Sequence, residues 1–300
     1  LKGQGMNDII CPNCGSGETK LHLNTRDYFL THELFSIYVC LKCKLLFTHP
    51  FPEQQVLHSK YYASNNYLSH NKKLSNLFSA AYRLVQKINI RMKLKLINST
   101  NQLSEKKILE VGAGTGDFLA ECIKNGWQSC GIEPSEQARL VAKEYNKLNL
   151  KSNIDEVGEV NFSIIALWHV LEHIPNLRET ILKLNNLLAK NGSLIIAVPN
   201  HNSFDAKHYK QFWAGYDVPR HLYHFNKLSL TLIMESYGFK LVKTNPMIFD
   251  SYYVSLLSEK YIRKLFIARY LSAIIIGLIS NLKALYSGES SSLIFIFKKA

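Results

Sequence analysis

Two rhythms of hydrophobic and polar positions run along the chain. From Lys106 onward, short runs that are apolar almost throughout (KILEV, WQSCGIE, FSIIALW, SLIIAVP) alternate with segments whose apolar residues recur every three or four positions, such as DFLAECIKNG and LRETILKLNNLLAKNG. Continuous apolar runs suit parallel strands covered on both faces, and the three-and-four spacing predicts amphipathic helices between them. Gly126 and Gly192 follow two of these helices as stops, and Ser135 stands as the cap of another that runs to Asn146. KLSLTLIMESYGFKLVKTN predicts a further helix and a sixth strand, SLIFIFKK a seventh, while the third strand is poorly marked. The expected fold class is α/β, a doubly wound sheet of seven strands.

Upstream the pattern differs. Leu74, Leu77, Phe78, Ala81, Leu84, Val85, Ile88 and Met92 fall at helical spacing within residues 54–104, which predicts a helical linker or lid. YYASNNYLSH, just before them, is rich in Tyr and His and is a candidate cover for a site. Residues 1–53 carry strand-like alternation in LHLNT and FSIYVC, set between two Cys-x-x-Cys pairs, Cys11 with Cys14 and Cys40 with Cys43. Two such knuckles offer four thiolates at the corners of a tetrahedron, the ligand set of a structural Zn2+ in a zinc ribbon. With every position taken by protein, that metal holds the module and activates no water. The remainder, residues 105–300, forms the α/β domain, with an apolar helical insertion at about 246–291.

Composition adds a charge argument. The 300 residues are 47% hydrophobic, enough for a full core, and Lys plus Arg outnumber Asp plus Glu by 36 to 23. Gln54 to Ser104 holds Lys60, Lys72, Lys73, Arg83, Lys87, Arg91, Lys93 and Lys95 without one acid. Such a field favours an anionic partner, whether a phosphate-bearing metabolite, a lipid surface or nucleic acid, although a solvated helical face reads the same way. No signal peptide opens the sequence and no apolar run reaches the roughly 18 residues of a bilayer span. The expected place is the cytoplasm, with RKLFIARYLSAIIIGLISNLKALY offering a peripheral membrane contact, a greasy-substrate site or a buried helix.

Candidate chemistry begins at ILEVGAGTGDF. Gly112, Gly114 and Gly116 bare the backbone behind the first strand, where ligands of such sheets bind. The nicotinamide pattern G-x-G-x-x-G fails, because its last glycine would fall on Asp117. What stands is acid-x-G-x-G-x-G, with Glu110 leading and Glu133 following about 20 residues beyond the loop, where a carboxylate accepts from ribose hydroxyls. From about Lys106 to Thr244 the chain resembles the class I S-adenosylmethionine-dependent methyltransferases, which have a Rossmann-like sheet. The resemblance implies that Glu110, Gly112, Gly114 and Gly116 hold the methionyl part of S-adenosylmethionine, Glu133 the ribose, and Asn153 with Ile154 the adenine.

His169, Glu172 and His173 spell the inverted zinc-protease motif, but they follow a strand directly and Pro175 interrupts the helix that motif needs. LWHVLEHIPN instead resembles the fourth loop of small-molecule methyltransferases similar to those of ubiquinone synthesis, which implies that Trp168 and His169 border the transferred methyl. The tetrapeptide of amine-methylating nucleic-acid enzymes and the Pro-Cys of pyrimidine-attacking ones are both missing. DVPRHLYHF resembles a segment of the zinc-ribbon branch of the family, which includes methyltransferases encoded among sugar and surface-polysaccharide genes. A neutral imidazole suits removal of an acceptor proton, so His221 is the first candidate base, followed by His224 and His169, with Arg220 a clamp for an anionic group. Pinning of the loop is the alternative role for Pro219 to His221. Three functions are consistent with these residues. The first is methyl transfer to O, N or C of a small anionic, lipid-linked or sugar-linked acceptor. The others are methyl transfer to RNA or protein held by the ribbon and basic helices, and cofactor sensing without turnover.

Overall fold

Strand alternation in the N-terminal region builds a small antiparallel meander, described here from a computed structural model covering residues 9–61, 76–158, 160–262 and 265–299. It consists of β1 (Thr19–Arg26), β2 (Leu34–Cys40) and β3 (Leu46–His49), with Phe35, Ile37 and Cys40 of β2 turned inward. Its fourth strand is supplied from far along the chain: β8 (Tyr223–His224) pairs antiparallel with β3.

The second sheet uses β4 (Lys107–Val111), β5 (Gln128–Ile132), β6 (Phe162–Trp168), β7 (Leu188–Pro199), β9 (Phe239–Pro246) and β10 (Ser292–Lys299) in the order β5-β4-β6-β7-β10-β9. β4 to β7 run parallel, and β10 is antiparallel to both of its neighbours. Every residue of the central β6 is buried, as its unbroken apolar run requires. The sheet has six strands among the described residues, one fewer than expected. Beyond β5 there is a single parallel bridge between Ile132 and Lys151. Ser152 and Asn153 there hydrogen-bond to Glu156 and Asp155 and turn the chain away, a local competition with the ladder.

Helices cover the sheet: α1 (Asn76–Thr100), α2 (Asp117–Lys124), α3 (Glu136–Asn146), α4 (Leu177–Leu187), α5 (Phe204–Tyr209), α6 (Lys227–Ser236), α7 (Asp250–Tyr261) and α8 (Phe266–Ser287). Ser135 caps α3 as expected, accepting from the Ala138 amide at 3.3 Å. On α1 the expected apolar face is only partly the packed one. Val85 and Met92 are exposed, whereas Ile97 is buried with Ile90 and Leu94 beside it. Leu74 and most of YYASNNYLSH lie outside the described residues. The insertion expected to be too interrupted for a span contains α8, a 22-residue helix of mean hydropathy 1.4, long and apolar enough by those measures to cross a bilayer. Arg269 and Lys283 break the apolar run but not the helix.

The two sheets are tied by the long segment between β7 and α6. Thr48 donates its amide to the Leu222 carbonyl at 3.0 Å and its hydroxyl to that of His221 at 2.7 Å. The Arg220 guanidinium, 1% exposed, donates to Asp27 Oδ1 at 2.8 Å and to both Asp217 oxygens at 2.6 and 2.9 Å. Burial opposes the charge on both acids, yet Arg220 holds each below the usual carboxylate range. Arg220→Ala leaves two inward carboxylates without their counterion and should cost about 3–5 kcal/mol in urea unfolding. Because both acids are depressed in the fold, this contribution is complete above about pH 4 and fades as pH falls through their lowered values.

Candidate functional site

The loop after β4 is open because its three glycines all adopt positive φ, and two of them, Gly112 and Gly116, have no room for a side chain. A Cβ on Gly112 (φ 73) would stand 2.4 Å from Val170 Cγ2, so the glycine loop and the loop after β6 touch directly. Gly114 (φ 55) has nothing within 4 Å of that position, which leaves its face bare toward the carboxyl ends of the strands. Its amide donates to Glu133 Oε2 at 2.8 Å, and the Ser135 amide donates to Oε1 at 2.9 Å. A carboxylate offers about four lone-pair directions, so each oxygen of Glu133 keeps capacity for a hydroxyl. Asp117 ties the cradle together, accepting from Thr115 in the loop, Gln86 on α1 and Asn146 on α3.

Glu110 lies at the floor, 4% exposed, and its Oε2 has no hydrogen-bond partner among the described residues. Burial, helped by Glu133 and Asp117 and opposed by Lys93, pushes its carboxyl up to about 8. Lys93 reaches in from α1 with Nζ 4.7 Å from the Trp168 ring centroid and 5.7 Å from that of Phe118, a cation over two aromatic faces. Asn153 is exposed and caps a short turn through its own side chain, and Ile154 packs at the core edge, both just past the Lys151 bridge.

His169 follows β6 at φ 57, an unusual conformation for a residue with a side chain. Its Nε2 is 3.0 Å from Asp250 Oδ2 and its Nδ1 is 3.5 Å from Glu172 Oε1. Burial disfavours the imidazolium, but Asp250 and Glu172 outweigh it and raise the pKa to about 10. That shift favours the imidazolium near neutral pH, which weighs against His169 as the group that takes the acceptor's proton. The surroundings of His224 weigh against that role as well. It is 4% exposed on β8, pushed well below the normal imidazole value by burial, and held by Thr48 at 3.0 Å and the Tyr216 ring. Arg220, expected to clamp an anionic substrate, is instead occupied with Asp27 and Asp217.

His221 is partly exposed. Its Nδ1 sits 2.9 Å from the Gly215 carbonyl, which assigns the proton to that nitrogen and leaves Nε2 with a lone pair. The ring meets that of His173 edge-on at 4.6 Å, and Glu172, His173 and His221 bring ligand atoms within 4.8 Å of one another. Burial and His221 hold His173 down at about 4, so it is neutral. His169 stands outside this group, so the inverted zinc-protease motif does not converge on one point. A cavity of about 310 Å3 lined by Lys107, Gln128, Cys130 and Lys151 opens at the opposite, amino end of β4 and β5 and takes no part here.

The four ribbon cysteines also converge. Cys11 and Cys43 Sγ are 3.6 Å apart, Cys14 and Cys40 3.5 Å, and all four lie within 4.8 Å of one another. A disulfide needs about 2.05 Å, whereas tetrahedral thiolates around zinc stand about 3.8 Å apart. The set could hold Zn2+ with no position left over.

A family profile described as a methyltransferase domain matches residues 87–244, more than half of the chain. The chain belongs to the methyltransferase domain family. The ubiquinone biosynthesis O-methyltransferase of Glaesserella parasuis serovar 5 (strain SH0165) is 32% identical over 126 residues, covering 37% of this chain and 53% of that protein. The protein of the same name from Histophilus somni (strain 2336) is 32% identical over 113 residues, 33% of this chain and 48% of that one. The chain thus spans about half the length of the curated relatives it matches. Magnesium protoporphyrin IX methyltransferase from Synechocystis PCC 6803, solved with bound SAH, superposes with a TM-score of 0.52 at 12% identity, covering 82% of this chain and 97% of that one, and shows the shared fold.

For a methyltransferase domain, two residues matter here that the sequence pattern did not single out. Lys93 was one of eight cations in an acid-free stretch, and only its depth on α1 distinguishes it. Asp250 lies in the insertion, 81 positions from the histidine it holds. NMR should show the His169 ring protonated throughout pH 5 to 8, since its raised pKa keeps the charge until pH rises toward about 10. Asp250→Asn should move its titration down into that range, and an unmoved titration would remove the clamp from the account.

Proposed function

We propose that this protein transfers a methyl group from S-adenosylmethionine to a nucleophilic O, N or C atom of a small-molecule acceptor. The observation that carries the reading is the pairing of the bare Gly114 face with two carboxylates that keep unused acceptor capacity, Glu110 Oε2 and Glu133. When bound, the cofactor supplies a methyl carbon made electrophilic by its sulfonium. Glu110 would hold the cationic amino group, Glu133 the ribose hydroxyls, Asn153 and Ile154 the adenine, and Gly112 and Gly116 shape the loop around them. Trp168 and His169 line the end of β6 beside that cradle.

The protein's remaining work is to align the acceptor and remove its proton. His221 is suited to the second task, with a free Nε2 and the Glu172 carboxylate close enough to stabilise the imidazolium that forms. The relatives named as O-methyltransferases favour an oxygen acceptor. The ribbon supports the same reading. Its β3 pairs with the strand that follows His221, so a structural zinc on Cys11, Cys14, Cys40 and Cys43 would keep the base in place without touching the chemistry.

Calorimetry should detect binding of S-adenosylmethionine or its demethylated product, and Glu133→Ala should weaken it about 10- to 100-fold by removing a charge-assisted acceptor. No heat with folded protein would end the reading. With labelled cofactor and a cell extract, label should appear in the small-molecule pool, and His221→Asn should lower kcat at least about 100-fold with little change in cofactor affinity. Metal analysis should find one zinc per chain, lost in Cys40→Ser together with most methyl transfer.

A further inference from the structure

α8 is built inside out. Its residues facing the body of the domain are small: Ala273, Gly277 and Ser280 are buried, and a Cβ on Gly277 would meet the Tyr252 ring of α7 at 2.7 Å. Ile276 packs at the edge of the core, but most of the helix's large apolar residues face away. Ile267, Leu271, Ile274, Leu278, Leu282 and Leu285 follow one another at steps of three and four, and each is between 47% and 79% exposed. A helix of a water-facing surface carries its bulky apolar residues inward and its charges outward. Here 22 residues, about 33 Å of helix, present the reverse.

We propose that this outer face of α8 seats the protein on an anionic lipid bilayer, with the helix lying along the surface. The charge of the segment decides between occupants. Lys260 to Gly288 contains Lys260, Arg263, Lys264, Arg269 and Lys283 and not one acid, on a chain of net charge +13. A second copy would bring the same cations against them, while anionic headgroups complement them. The helix is held sideways to the domain. Ser280 donates to Asp205 Oδ1 at 2.7 Å and Asn281 to the Ile248 carbonyl at 3.0 Å, which favours a helix lying against the body over one that crosses a membrane. An exposed apolar stripe on a laterally anchored helix, within an acid-free cationic stretch of sequence, is the arrangement of an interfacial helix. Ile248 and Phe249, both exposed, extend the face to the start of α7, where Asp250 meets His169. The docked surface therefore adjoins the loop that borders the proposed methyl-transfer site. The inference itself does not rest on methyl transfer, because vesicle binding is read without cofactor or acceptor.

The test is co-sedimentation of the full chain with phosphatidylglycerol vesicles and with phosphatidylcholine vesicles, at low and high salt. The protein should bind the anionic vesicles at least about tenfold more tightly and loosen as salt rises. Ile274→Asp combined with Leu278→Asp should reduce that binding about tenfold or more, with an unchanged melting temperature because both side chains are exposed. Failure to sediment with either vesicle, or equal sedimentation of the double variant, overturns the proposal. A dimer that the double variant converts to monomer, with no vesicle binding, assigns the face to a second copy and overturns it as well.

Discussion

A guanidinium with no access to water must find its counterions inside the protein, and Arg220 finds one in the ribbon and one in its own loop. That constraint determines how the N-terminal module and the α/β domain meet. With Asp27 on one side and Asp217 on the other, residues 217–222 run along the ribbon, and Tyr223 and His224 continue as its fourth strand. The Arg220 carbonyl is in turn 3.0 Å from His173 Nδ1, which fixes that ring against His221. The position of the proposed base is thus a consequence of the ion pairs made by the residue just before it, one of which reaches into the ribbon.

The cradle has a similar dependence on the insertion. Gly112 lacks a side chain because Val170 stands where one would go, so the shape of the glycine loop and that of the fourth loop are one problem. The fourth loop holds His169 at a positive φ that a side chain resists, a local cost that surrounding contacts must offset. Asp250 from α7 and Glu172 supply those contacts. A segment that departs from the minimal arrangement of strands therefore stabilises the conformation of a loop beside the site, and the helices that close the sheet also shape its mouth.

These dependencies explain which parts were legible in the residues themselves. The β6 run FSIIALW, the Ser135 cap, the four paired cysteines and the Glu110, Gly112, Gly114, Gly116 and Glu133 constellation are local signals, carried by periodicity or by spacing within one stretch. The β8 strand is two residues long and has no period to detect, so the burial of His224 within a sheet could not be read from its neighbours. Asp250 and Lys93 act across gaps of many residues, where spacing says nothing about proximity. Along α1 the periodic apolar set marked the helix, while Val85 and Met92 of that set are exposed and Ile90, Leu94 and Ile97, a stripe of equal period, pack inward. The third strand failed for the opposite reason: its polar side chains take their hydrogen bonds locally.

The charges around the cradle can be weighed together. Glu110 and Glu172 are carboxyls removed from water and Asp250 is partly so, and an isolated buried carboxylate costs more than a domain of ordinary stability can absorb. The protein meets this in two different ways. Glu172 and Asp250 share the His169 imidazolium, which keeps both ionised and below their ordinary range against the effect of burial. Glu110 has only the opposing charge of Lys93, which does not outweigh burial, and its pKa rises to about 8. Paired carboxylates with satisfied charge are what a fixed loop needs. A carboxyl left unpaired and partly protonated is what a site for a cation needs, since it becomes fully charged only when a positive group arrives to share the burial.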